Sequence, residues 1–203
     1  MNSFHHLLGM CILSAWPIIP LFWIPAHLFH GFFRRHLGLY VYGIAGVLWL
    51  PLLWIVWKYG DLALRYVLPV PWPFKTVGWI LFCSGLALQI WTARVMGPII
   101  LGVPEVTNAM KNRHVITPPF NWCRHPTYLS HAMIFSGAAL LTGYTALFIL
   151  ALADMLATHL IIIPFEEKEL LKRLGQPYRK YMERTPKFIP SLSATLKRER
   201  PEQ

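Results

Sequence analysis

RHPTYLSHAMIFSGAALLTGYTALFILALADMLATHLIIIPFEE, residues 124–167, contains two apolar runs, 128–141 and 144–163, joined at Gly143 and Tyr144. A bilayer core is crossed by about 20 apolar helical residues, so both runs read as spans, the first a short one. So tight a connection leaves the two helices antiparallel neighbours. A hairpin of this kind returns its ends to one side of the membrane. Arg124-His125-Pro126-Thr127-Tyr128, at the entrance, and Glu166-Glu167, at the exit, therefore meet although some 40 residues separate them in the chain.

Working outward, three further apolar runs occupy residues 7–33, 39–57 and 74–94. The 203-residue chain is 55% hydrophobic and only 14% charged, where a soluble domain carries about 25% charged residues. The expected fold is all-α: a polytopic membrane bundle of about five transmembrane helices with a cytosolic C-terminal helical cap. It forms a single integral-membrane domain over 1–203, with N-terminal spans in 1–95 and a loop, the hairpin and the cap in 96–190. Pro17, Pro20, Pro25 and Pro51 fall inside spans and read as kinks, because neighbouring helices can re-satisfy the carbonyls a proline frees. Residues 68–74 (LPVPWPF) read as an interfacial loop with Trp72 as anchor. Pro98, Pro104, Pro118 and Pro119 make 96–123 a long loop, where function tends to reside.

A helix over 145–174 would be about 45 Å long and outrun the hydrocarbon core by about 15 Å. Its end, from Glu166 onward, then stands in the cytosol. Gly175 stops it and Pro177 starts a second short helix. That helix carries Tyr178, Tyr181 and Met182 on one side and should fold back onto the bundle or the membrane.

The net charge of +10 does not imply nucleic acid. Its Lys and Arg residues flank apolar runs and fill the tail, as contacts to anionic lipid would require. With the N-terminus outside, Arg34, Arg35, Arg94, Lys111, Arg113, Arg124 and the basic tail fall in the cytosol, against Lys58, Arg65 and Lys75 outside. No Lys or Arg precedes Arg34, so the first run lacks the basic region of a signal peptide and reads as a span. Cys11, Cys83 and Cys123 are odd in number and form no C-x-x-C pair, so a zinc ribbon or redox pair is not expected. His27 and His30 lack a third ligand nearby, and no metal site is expected.

Asp154, Thr158, Ile162 and Glu166 recur every four residues and form one slowly winding stripe, with His159 near it. Ionisable groups inside a span are costly and face a cavity or a partner. The stripe is therefore expected to line an acceptor site, Thr158 and Ile162 as substrate-binding residues and Asp154 or His159 as catalytic base. The competing reading pairs Asp154 with His159 or Arg94 as structure. For His131, in the fourth span, the structural reading is preferred. Taken singly, the Arg124-His125 and Glu166-Glu167 clusters also suit headgroup anchoring and a solvated helix face.

Three blocks favour the functional reading of the two clusters: VITPPFNWCRHPTYL at 115–129, EEKELLKRLGQPYRKY at 166–181 and RTPKFIP at 184–190. In this order and spacing the chain resembles the isoprenylcysteine carboxyl methyltransferase and phospholipid methyltransferase superfamily. The resemblance covers about the last 90 residues. It implies S-adenosylmethionine as cofactor and S-adenosylhomocysteine as product. It places cofactor contacts at Asn112, Arg113, His114, Val115, Phe120, His125, Pro126, Thr127 and Tyr128, with Glu105 near a further one. Glu166 stands where the resemblance puts a carboxylate that holds the cofactor, through its ammonium group. Arg124 or His125 would balance the cofactor's carboxylate, and Phe120, Trp122 and Tyr128 offer faces to adenine and sulfonium.

The chain departs from the pattern at Pro118-Pro119-Phe120 and at Ile162, where isoprenylcysteine enzymes carry an Arg for the substrate carboxylate. The acceptors implied are lipid-like or small: a prenylcysteine carboxylate, a phospholipid amine, or a small thiol or phenol. A nicotinamide-dependent membrane reductase and a non-enzymatic transporter or scaffold remain the other classes.

Overall fold

The computed structural model describes residues 3–101 and 116–188. Helix α1 (Ser3–Ala15) runs through a π-helical turn, Ile19–Trp23, into α2 (Ile24–Leu28). Pro17, Pro20 and Pro25 each remove a backbone donor, and the widened turn at Pro20 is how this span absorbs them. After a single turn at His30–Phe32 and a second π turn, Phe33–Leu37, the chain reverses at Gly38. Helix α3 (Tyr40–Ala63) accommodates Pro51 without interruption. Helix α4 (Trp72–Met96) begins at the expected anchor, Trp72, which is 78% exposed.

Helix α5 (Pro126–Thr142) has Pro at its first position, where no amide hydrogen is needed. It ends at Gly143, whose φ of 76° gives the left-handed C-terminal stop. Helix α6 (Thr145–Ala157) follows at once, continues through a π turn, Thr158–Ile162, and becomes α7 (Ile163–Leu174). Gly175 then turns the chain into α8 (Gln176–Arg184).

Four helical stretches are long and apolar enough to cross a bilayer: Ser3–Ala26, Tyr40–Ala63, Trp72–Met96 and Thr145–Leu174. The hairpin's first helix, α5, is shorter at 17 residues, as the length of its apolar run foretold. Val47, Trp57, Ile80, Ile149 and Leu160 point outward and exposed, an arrangement suited to lipid rather than water. The molecule is a polytopic helical membrane bundle.

The core lies where α1, α5 and α6 meet, around Met10, Ile12, Phe135, Ala138, Ala139, Leu147 and Ala151. Leu64 and Tyr144 close it at the hairpin end, both 1% exposed. There the Leu68 amide donates to the Gly143 carbonyl at 2.8 Å and the Thr145 amide to that of Tyr66 at 3.0 Å. The connection between α3 and α4 is thus stapled across the hairpin turn. Helices α4 and α5 approach closely because small residues face each other. A Cβ at Gly137 would lie 2.6 Å from the Phe82 nitrogen, and one at Gly85 would lie 3.0 Å from the Ser130 carbonyl oxygen. Without a hydrophobic drive between spans, such close backbone packing is what holds helices together in lipid.

Candidate active site

The hairpin brings its two charged ends together. Arg124 Nη2 lies 3.1 Å from Glu167 Oε1, and His125 Nε2 donates to the same oxygen at 3.0 Å. Lys187 approaches the other Glu167 oxygen at 3.8 Å. The Arg124 and His125 side chains are only 8% and 3% exposed, so this is a desolvated ionic cluster rather than a surface pair. Glu166 sits beside it: Oε2 is 3.7 Å from His125 Nδ1, buried, and has no hydrogen-bond partner. The two adjacent carboxylates are therefore unlike. Glu167 is engaged by three basic side chains, while Glu166 keeps an oxygen available inside the site.

Helix α8 and the segment after it hold the entrance of α5 in place. Tyr178 is buried, Tyr181 donates its hydroxyl proton to the Phe120 carbonyl at 2.6 Å, and Arg124 Nη1 donates to the Met182 carbonyl at 2.9 Å. The amides of Arg124 and His125 donate to the carbonyls of Pro186 and Lys187 at 2.8 and 3.1 Å, so the tail lies along them like a short strap. The Phe188 ring reaches both His125 (6.2 Å) and His159 (4.9 Å). On the far side of α7, Glu169 takes Arg34 at 2.6 Å and Arg173 at 3.1 Å, tying the N-terminal spans to the cap.

Of the residues expected in the site, Phe120, Arg124, His125, Pro126, Thr127, Tyr128 and Glu166 belong to these adjoining elements. Phe120 is buried, Tyr128 stacks on His125 at 5.7 Å, and Thr127 Oγ1 meets Met96 Sδ at 3.8 Å. Trp122 packs edge-on against Trp91 at 5.1 Å, which gives it a structural partner on α4. Ser130 donates to Gln89, a further link to that helix. Asn112, Arg113, His114, Val115 and Glu105 lie outside the described residues.

The stripe on the second hairpin helix is inward. Asp154, Thr158 and Ile162 are 1%, 4% and 0% exposed. An uninterrupted α-helix would carry Asp154 about 120° out of line with Glu166 over twelve residues. The π turn at Thr158–Ile162 winds more slowly and removes roughly a quarter turn of that drift. The same shift moves His159 away. It is exposed, with Nδ1 2.9 Å from the Met155 carbonyl oxygen and its ring against Phe188. The grouping of His159 with the stripe assumed regular α-helical phase and does not hold. Asp154 Oδ1 is buried without a hydrogen-bond partner. Among the described residues no three His, Cys, Asp or Glu side chains gather as a metal site.

Sequence reasoning grouped Glu166 with Glu167 but gave the cofactor role to Glu166 alone, and it gave no role to Glu169, Lys187 or Phe188. The signal for Glu167 and Glu169 was their two-residue spacing, which sets them on opposite sides of α7, each facing an Arg.

The fold and the cluster together make this a polytopic membrane protein with a buried ionic cluster at one end of a helical hairpin. The phospholipid methyltransferase family model matches residues 74–176, and the chain belongs to that family. It is 27% identical over 150 residues to methanethiol S-methyltransferase 1 of Bradyrhizobium diazoefficiens, an alignment covering 70% of this chain and 48% of the relative. The chain thus matches about half the length of that curated relative. No solved structure matches it.

Proposed function

We propose that this protein transfers a methyl group from S-adenosylmethionine to a small or lipid-borne acceptor, at a site where α5 begins and α7 leaves the bilayer. The observation that carries this is the unequal pair of carboxylates. Glu167 is engaged by Arg124, His125 and Lys187, whereas Glu166 presents a buried oxygen that has no hydrogen-bond partner and only a loose approach, 3.7 Å, from His125 Nδ1. The donor set fits the cofactor: an unengaged carboxylate suits its ammonium group, and the Arg124-His125 pair suits its carboxylate. When bound, the cofactor supplies a methyl group already activated as a sulfonium.

The chain's own task is then to align, to exclude water and to manage a proton. Tyr128, Phe120 and the Tyr178–Tyr181 face of α8 wall the site, and the strap at Pro186–Lys187 holds the α5 entrance in register. The excess of basic residues at this end supports a cytosolic location for the site and the C-terminus.

Ile162, apolar and fully buried, offers nothing to an acceptor carboxylate. A thiol acceptor, as in the name of the relative, or an amine fits better. Either sheds a proton on methylation, and Asp154 is the buried base on the stripe.

The test is calorimetric titration of the detergent-purified protein with S-adenosylhomocysteine. Removing a charged hydrogen bond forfeits about 1.5–3 kcal/mol, so Glu166→Ala should weaken binding roughly 10- to 150-fold. Wild-type affinity in a folded Glu166→Ala variant refutes the role of Glu166. No binding by the wild type refutes the activity.

A further inference from the structure

His125 stands between the two carboxylates. Its Nε2 donates to Glu167 Oε1 at 3.0 Å, and its Nδ1 lies 3.7 Å from Glu166 Oε2. An ionised carboxylate only accepts hydrogen bonds, so each ring nitrogen needs a proton of its own to face one. A neutral imidazole carries a single N–H. The shorter contact takes it, and Nδ1 then turns a lone pair toward the lone pairs of Glu166. In the cofactor-free protein the arrangement calls for a second proton, shared between Nδ1 and Glu166 Oε2.

Counting charges gives the same answer. Among the described residues, the charged groups around the ring are Arg124, Glu166, Glu167 and Lys187. The neutral groups about the cluster are Cys123, Tyr128, Tyr178 and Tyr181. Lys187 is half-exposed and 3.8 Å from its carboxylate, where water screens it. The more deeply buried members are two carboxylates against one guanidinium, and a protonated ring restores the balance.

Arg124 adds a donor. It gives Nη1 to the Met182 carbonyl and Nη2 to Glu167, while Nε is buried without a hydrogen-bond partner. An α-amino acid group complements this set, with three N–H donors on its ammonium and two acceptor oxygens on its carboxylate.

We propose that His125 is an ammonium-binding residue of the site, and that the cofactor enters by exchanging its ammonium group for a proton held between His125 and Glu166. This rests on the methyltransferase reading and specifies how that site takes its cofactor. The ammonium donates one N–H to Glu166 Oε2 and another to His125 Nδ1. The shared proton leaves for water, and the ring stays neutral with its Nε2–H on Glu167. Of the Arg124-His125 pair, Arg124 then serves the cofactor's carboxylate through Nε, and His125 serves its ammonium. The sulfonium offsets the carboxylate, so the sum of charges in the cluster is unchanged.

The full-length protein in detergent is titrated calorimetrically with S-adenosylmethionine, without acceptor, in two buffers of different ionisation enthalpy. The pH is 6, below the ordinary histidine value of about 6.5. The difference in heat between the buffers counts the protons released. Wild type should release roughly one per cofactor bound, and should bind roughly threefold or more tightly at pH 8 than at pH 6, where more molecules hold the competing proton. Two variants locate the proton. His125→Gln keeps an amide donor for Glu167 and has nothing in place of Nδ1. Glu166→Gln puts an amide N–H where the proton was. Each should bind more weakly, release less than about 0.2 proton and bind equally at both pH values. A residue that only holds the fold would change affinity and leave the proton count as it is. The wild-type count stands even if a variant folds poorly.

A wild type that releases less than about 0.2 proton and binds equally at both pH values overturns the proposal and leaves the methyltransferase reading standing. Release that both variants retain in full overturns it too, because the proton then comes from elsewhere. A wild type that binds neither S-adenosylmethionine nor S-adenosylhomocysteine overturns the methyltransferase reading, and the proposal with it.

Discussion

Glu166 and Glu167 are neighbours of identical chemistry, and the structure assigns them opposite costs. Glu167→Ala leaves Arg124 and His125, at 8% and 3% side-chain exposure, facing each other without their carboxylate. Breaking a buried ion pair from one side costs about 3–5 kcal/mol, since the remaining charge stays desolvated. For a chain of this size 1 kcal/mol moves Tm by roughly 2–4 °C, so a fall of roughly 6–20 °C is expected. Glu166→Ala removes a carboxylate that has no hydrogen-bond partner on one oxygen and is 22% exposed. Its cost should stay within about 1 kcal/mol. Intrinsic tryptophan fluorescence during heating in detergent reads both. The order should reverse when S-adenosylhomocysteine affinity is measured on whatever fraction of each variant remains folded, Glu166→Ala losing more. Equal Tm values for the two variants, or a Glu167→Ala within a degree of wild type, would refute the division of labour between them.

Two further outcomes follow from packing and burial. Gly137→Ala places a Cβ 2.6 Å from the Phe82 nitrogen and 2.8 Å from the Gly78 carbonyl oxygen. Neither backbone atom can step aside, so overpacking should cost about 1–3 kcal/mol. Gly46→Ala, with nothing within 4 Å, should be neutral or slightly stabilising by the same unfolding assay. Burial pushes the Cys123 thiol up to about 11. The thiolate is the reactive form, so at pH 8 only about one molecule in a thousand is reactive. In a Cys11→Ala/Cys83→Ala background, iodoacetamide alkylation should rise roughly tenfold per pH unit between 8 and 10. A rate that levels off near pH 9 contradicts this.

The spans were legible because length and hydropathy are one-dimensional properties. The hairpin followed from Gly143 and Tyr144 being its whole connection, and the turn into α8 from Gly175 and Pro177. What escaped was helical phase. His159, seven residues before Glu166, would line up with it on a regular α-helix, and the slow π turn at Thr158–Ile162 takes it out of line. The one signal was Pro164, just past the turn, whose missing amide hydrogen frees a carbonyl in the preceding turn. The close approach of α4 and α5 had a signal, Gly78 and Gly85 seven apart opposite Gly137, but it gains meaning only when the two helices are known to touch. The strap at Pro186–Lys187 uses backbone carbonyls, which every residue has, so composition is silent about it.

That strap also orders events in time. The spans described above precede it, so they can enter the bilayer while residues 185–188 are still inside the ribosome. Until they emerge, the Arg124 and His125 amides lack the carbonyls of Pro186 and Lys187, and Glu167 lacks Lys187. A chain stopped short of Pro186 should therefore be inserted into the membrane yet fail to bind S-adenosylhomocysteine.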